Sequence, residues 1–354
     1  MINRLSIWRE LTLSAACLLT AGAVEAVPFT NIYVLGDSLS DQGNLFQATQ
    51  TLTGAGIPAS DHYFSGRFSN GEVYSGLLAE RLGLTLTASS AGGNNFAYGG
   101  TRTNYNIVEN PPSPGGFPPG LYPWTLNLQR QAFNDRHVFD PNALYVVFSG
   151  SNDIGDLIRP TLRGGFGSTL AQSNAAAQGI LDVVTAYKSA GARYILVPDI
   201  PDLGVIPSIT RLNPPGSTIV STVATALSQR FDNTLNGMLD LVTGVQIIRF
   251  DTFDFVREVH DDPAEFGLTN VTQPCYTGFV EPAAPGDTVC GTPGSYAYWD
   301  VEHPTTALHS IIANRLFAAI NVAVVPEPAS GALVLVALAA LALTLRRPGP
   351  AVSV

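Results

Sequence analysis

Charge is what this chain has least of. Of its 354 residues only 13% are Asp, Glu, Lys or Arg, and 28 acidic side chains against 18 basic ones leave a formal net charge of -10. With no basic patch along it, such a chain should repel phosphate backbones, which excludes nucleic acid as a partner. Cysteine is scarce at three residues. No spacing of His, Cys, Asp or Glu suggests a metal site, so neither metal nor cofactor is expected. No internal repeat is apparent, which excludes a repeat architecture. The Gly-x-Ser-x-Gly nucleophile elbow occurs nowhere, which excludes the α/β-hydrolase arrangement. What is present is ordinary for a loop-rich globular protein: 45% hydrophobic residues, 34 Gly and 25 Pro.

Long apolar runs are confined to the two ends. Residues 1–26 read as an export signal: Arg4 and Arg9 make a positive start, residues 11–24 are largely apolar, and Val24-Glu25-Ala26 offers a cleavage site. The run is short for a membrane anchor. Residues 324–354 form a second module, with Pro326-Glu327-Pro328, an apolar stretch over 331–345, then Arg346 and Arg347. This tail resembles the bacterial PEP-CTERM sorting signal. The resemblance implies an exosortase-type partner, transient membrane contact through the hydrophobic helix, and delivery to the cell surface or beyond. Between the two ends lies one domain, residues 27–323. Losing the leader removes Cys17 and leaves Cys275 and Cys290, which in an exported chain favours a disulfide. Closing a loop of about 15 residues stabilises a fold by roughly 3 kcal/mol. It would also brace the Pro/Gly-rich segment that precedes Asp300.

Inside the domain, short apolar runs alternate with amphipathic stretches. Strands are expected over 31–36, 94–98, 143–149, 193–198 and 245–250. Runs such as Tyr145-Val146-Val147-Phe148 are continuous, as in parallel strands covered on both faces. Helices are expected over 70–82, 124–134, 168–190, 217–242 and 304–323, the first with Asn70 as a possible N-cap. The alternation points to a three-layer α/β/α sandwich on about five parallel strands. Residues 104–123 read as a Pro/Gly-rich loop, and 260–298 lack any periodicity.

The chemistry concentrates where strands end. Ile32 to Leu35 run into Gly36-Asp37-Ser38-Leu39, a buried strand delivering a serine into a tight turn. A serine needs an adjacent base to lose its proton, and histidine, with an ordinary pKa near 6.5, suits that role. Of the five histidines, His303 is the best placed, because Asp300 three residues earlier can fold back and hold its tautomer. A negative oxygen on the substrate would need N–H donors. The Ser38 amide is one; the segments 95–101 and 150–153, each after an apolar run, offer others. Such a base should lose activity below about pH 6.

Four segments in this order resemble the GDSL or SGNH family of esterases and lipases: Gly36-Asp37-Ser38-Leu39, the Asn-Phe-Ala-x-Gly-Gly stretch at 95–100, Gly150-Ser151-Asn152-Asp153, and Asp300-Val301-Glu302-His303-Pro304. The resemblance implies a flavodoxin-like fold and ester hydrolysis. It makes Ser38 the nucleophile, His303 the base and Asp300 its orienting acid. The Ser38 amide, Gly100 and Asn152 would form an oxyanion hole, with Gly99 the alternative to Gly100 because the pair leaves the register open. The segment 64–71 also resembles one found in secreted phospholipases, hemolysins and lipid acyltransferases; within it Arg67 either meets an acidic substrate or ties the fold together. The expected substrate is a small-molecule, lipid or acylated-sugar ester. Transfer of the acyl group to an alcohol by the same residues, and a catalytically silent surface module, are the alternative readings.

Overall fold

In a computed structural model the described residues are 29–103 and 124–324. The expected export signal, the loop over 104–123 and the tail from 325 onward lie outside them.

Four of the five apolar runs form one parallel sheet in the order β1 (Ile32–Gly36), β2 (Leu144–Phe148), β3 (Tyr194–Pro198) and β4 (Gln246–Phe250). Successive side chains of a strand point to opposite faces, and β1 and β2 are buried throughout. On one face Tyr33, Leu35, Tyr145, Val147, Ile195 and Val197 pack into a core with α5 (Phe166–Ala190) and α6 (Ile219–Leu239). A fully buried aliphatic side chain of this kind contributes roughly 1.5–3 kcal/mol. The opposite face is covered by α2 (Tyr74–Arg81) and α8 (Thr306–Val324): Tyr74 meets Phe148 edge-on at 5.5 Å and donates its amide to His309 Nδ1 at 3.2 Å. The chain is thus α/β, a parallel sheet between helical layers.

Residues 94–98 are not a strand. They lie along the free side of β1 with a single bridge, Val34 to Asn95, and backbone bonds from Phe96 N to Val34 O and from Tyr98 N to Gly36 O. Two asparagine side chains interrupt the ladder. Asn94 Nδ2 donates to the carbonyls of Ile32 and Thr85, and Asn95 Nδ2 donates to that of Ser40. Local side-chain bonds of this kind compete with sheet pairing.

Asn70 does not cap the first expected helix. Val73 precedes α2 without a side-chain cap, and Asn70 Oδ1 instead accepts the Thr306 amide at the start of α8. Four helices among the described residues escaped the sequence: α1 (Asn44–Thr53), α4 (Ser151–Leu162), the one-turn helix Pro207–Thr210 and α7 (Thr252–Asp261). The second expected helix, over 124–134, is α3 (Leu126–Asn134). The aperiodic region 260–298 carries a small parallel pair, β5 (Asn270–Pro274) and β6 (Tyr296–Tyr298), and the Cys275–Cys290 disulfide.

Candidate active site

The Ser38 turn is built at the C-terminal end of β1. Gly36 is required there by close approach, because a Cβ would collide with the Phe148 carbonyl of β2. Its amide and carbonyl both bond the Gln129 side chain, at 2.9 and 2.8 Å. The chain then turns, with Ser40 N donating to Asp37 O at 3.1 Å and Leu39 N to Asp37 Oδ1 at 3.1 Å. Asp41 anchors the far side of the turn. Fully buried, it accepts the amides of Gly43, Asn44, Leu45 and Gly99. Burial pushes the Asp41 carboxyl up to about 6, and those four donors hold it from going further.

Asp300 and His303 come together at the other side of the cleft. His303 Nδ1 lies 2.7 Å from Asp300 Oδ2, and His303 Nε2 lies 3.0 Å from Ser38 Oγ. Asp300 Oδ1 accepts the amides of Glu302 and His303, at 2.7 and 2.8 Å, which curls residues 300–303 into a turn around the carboxylate. Burial raises the Asp300 pKa, but the His303 charge and these bonds outweigh it and hold the carboxyl below its ordinary range. Burial opposes the His303 imidazolium. The Asp300 charge and bond, helped by Glu302 and Asp37, override it and raise the pKa above 6.5. The acid limit expected for an unassisted imidazole therefore moves upward.

The candidate oxyanion donors are not equally free. Gly99 N already donates to Asp41 Oδ2 at 2.8 Å. The amides of Gly100 and Ser38 donate to no group among the described residues, and Gly100 holds φ at +72°, where glycine carries no penalty. Asn152, in the first turn of α4, gives one N–H of its side-chain amide to Thr101 O at 3.0 Å. An amide nitrogen has a second N–H to offer. Two further contacts from α4 fix the same strip: Asp153 accepts from Thr103, and Asp156 pairs with Arg102, which in turn donates to Gly100 O.

Ser38, His303 and Asn152 share one cavity of about 350 Å³. Besides these its lining holds Asp37, Arg102 and Glu302, and a larger apolar part from Phe148, Leu203, Ile206, Val256, Leu308 and Ile312. That size and balance suit a small organic ligand with one polar centre. Asp37 is nearly fully buried, and burial lifts its carboxyl to about 6. Among the described residues no group of three or more His, Cys, Asp or Glu side chains is arranged to hold a metal ion.

Arg67 is absent from the cavity lining. It pairs with Glu72 at 3.1 Å and donates to Gln42 Oε1 and Ser65 O. Its segment supports the imidazole by another route, since Phe68 packs on the His303 ring at 5.0 Å and Ser69 Oγ bonds Pro304 O. Sequence reasoning missed Gln129, Asp41, the Arg102–Asp156 pair and Tyr63, whose hydroxyl donates to Asp300 Oδ2 at 2.6 Å. Gln129 and Tyr63 bond partners 93 and 237 residues away, so no local pattern marks them.

A family model described as GDSL-like Lipase/Acylhydrolase matches residues 32–316. A GDSL esterase/lipase of Arabidopsis thaliana is 26% identical, over 80% of this chain and 85% of its own length. A phosphatidylcholine-sterol acyltransferase of Aeromonas hydrophila is 25% identical, over 83% of this chain and 91% of its own. Among solved structures, a lipase from a goat rumen metagenome aligns at 13% identity with a TM-score of 0.42, covering 82% of this chain and 97% of that one.

Proposed function

Because the chain belongs to the GDSL-like lipase/acylhydrolase family, we propose that it is a serine enzyme that hydrolyses carboxylic esters through an acyl-enzyme on Ser38. The observation that carries this reading is the 3.0 Å contact between Ser38 Oγ and His303 Nε2, with Asp300 on the other ring nitrogen. Ser38 Oγ attacks the ester carbonyl while His303 Nε2 takes its proton. The resulting oxyanion is met by the amides of Ser38 and Gly100 and by the Asn152 side chain, donors worth roughly 3 kcal/mol each in such sites. The C–O bond then breaks, and the leaving alkoxide takes the proton from His303. Water, deprotonated by the same imidazole, releases the acid and restores Ser38. Asp300 stays ionised throughout, orienting the ring and stabilising its charged form.

The apolar part of the cavity supports an acyl chain longer than acetyl as the group held there. The likeness to an acyltransferase supports a second reading, in which an alcohol replaces water in the second half-reaction. The motifs in residues 1–26 and 324–354 support export followed by surface sorting.

A fluorophosphonate should label the wild-type protein and not Ser38→Ala, which should lose ester turnover by about 10⁴-fold or more. An unlabelled wild type, or a turning-over Ser38→Ala, overturns the assignment. A chain-length series of aryl esters, run with and without a competing alcohol, reads the preferred acyl group and the acceptor.

A further inference from the structure

We propose that Tyr63 is a positioning residue for the reaction, a fourth link behind Asp300; the proposal rests on the reading of Ser38 and His303 as nucleophile and base. Asp300 Oδ2 receives two donors, His303 Nδ1 at 2.7 Å and the Tyr63 hydroxyl at 2.6 Å. Asp300 is fully buried and Tyr63 nearly so. Burial, and then the Asp300 charge, raise the Tyr63 pKa, so the phenol keeps its proton and can only donate to the carboxylate. Bonds from a neutral donor to a buried charge are among the stronger ones.

The hydroxyl does two things to Asp300. It fixes the rotation of the carboxylate, so that Oδ2 stays aimed at the imidazole. It also withdraws charge from that oxygen, which limits how strongly Asp300 holds the His303 proton. A base gripped too tightly by its partner stays protonated and cannot accept from Ser38.

Tyr63 is itself held from outside the sheet. Its ring stands edge-on to Tyr276 at 6.0 Å and to Trp299 at 6.5 Å, and these two stack at 5.7 Å. Tyr276 follows Cys275, whose disulfide to Cys290 closes the 275–290 loop, and Tyr276 N bonds Trp299 O just before Asp300. The segment carrying Tyr63 is laced to the same loop by Ala59 N to Val280 O and by Ala283 N to Asp61 Oδ2. The loop also lays Phe279 over the His303 ring at 5.9 Å. The disulfide loop thus reaches the carboxylate through Tyr63 as well as through the chain itself.

The test compares wild type, Tyr63→Phe and a protein carrying 3-fluorotyrosine at position 63, measuring the rate of fluorophosphonate labelling of Ser38 and kcat/KM for an aryl ester across pH. Removing the hydroxyl concentrates charge on Oδ2 and raises the His303 pKa. Tyr63→Phe should therefore move the acid limb of both profiles upward by about half a unit or more and lower the plateau roughly tenfold, with KM little changed because Tyr63 does not line the cavity. The more acidic fluorophenol donates more strongly, so its limb should move the opposite way. A plateau loss with both limbs in place, or limbs moving in the same direction, reduces Tyr63 to a packing role and overturns the proposal. Near-UV circular dichroism establishes that each variant is folded, and if Tyr63→Phe is not, the fluorotyrosine limb decides alone: an unmoved limb overturns the proposal. Failure of the wild type to label at all would instead strike the Ser38 assignment.

Discussion

The turn that carries Ser38 hangs from the end of β1 and is held by regular structure: the sheet, the Gln129 side chain and a buried Asp41 that gathers four amides. The turn that carries His303 has no strand of the central sheet beneath it and lies between the short strand β6 and the first turn of α8. It is held by the 275–290 disulfide loop, a stack of aromatic rings and the segment around Phe68. The Ser38 side takes its rigidity from the central sheet, whereas the His303 side adds a covalent staple and packed rings to β6 and the start of α8. The comparison implies that the two sides can be damaged separately.

The largest separation should come from Asn152→Ala. Losing one oxyanion donor should lower kcat by about 10²–10³-fold while the thermal midpoint stays nearly constant. A large fall in the midpoint would mean that the α4 contact with Thr101 carries stability as well as chemistry. On the other side, replacing Cys275 and Cys290 together by serine should cost roughly 3 kcal/mol of unfolding free energy and lower kcat by about tenfold. Denaturant unfolding and steady-state rates read both, and an unchanged stability would break the contrast.

The smallest effect sharpens the comparison through pH. His303 has a raised pKa, so kcat/KM should climb through a midpoint above 6.5, as activity appears when the imidazole loses its proton. Stability should run the other way. Burial raises Asp37 and Asp41 to about 6 and Asp153 to about 7. Between the ordinary carboxylate range near 4 and those values the folded state binds more protons than the unfolded one, so stability falls as pH rises through that window. Lowering pH from 7.5 to 5.5 should raise the thermal midpoint by a few degrees while activity declines. A midpoint that fell alongside activity would show these carboxylates to be better paired than their burial suggests.

Much of this was legible in the sequence, and unevenly. β1, β2 and β3 read clearly because each is a nearly continuous apolar run, β4 because Ile247, Ile248 and Phe250 keep an apolar pattern around Arg249, and α5, α6 and α8 because apolar residues recur along them. The helices that were missed open on polar or irregular residues. α4 begins Ser151-Asn152-Asp153 and contains Gly155 and Pro160, and α1 follows a left-handed Gly43 with its capping carboxylate buried at Asp41. The run over 94–98 looked like a strand by composition, and its two asparagines spent their side chains on neighbouring carbonyls instead. At the site, Ser38, His303 and Asp300 stand in short motifs whose spacing is itself chemical. Tyr63 and Gln129 stand in no motif, since what they do is defined by a partner in a distant part of the chain.

Ser38 and His303 are 265 residues apart. During synthesis the serine is made long before the imidazole exists to deprotonate it. A chain emerging from the ribosome carries the proposed nucleophile with no base beside it. Under the proposed function, ester hydrolysis begins only once both distant segments have met in the finished domain.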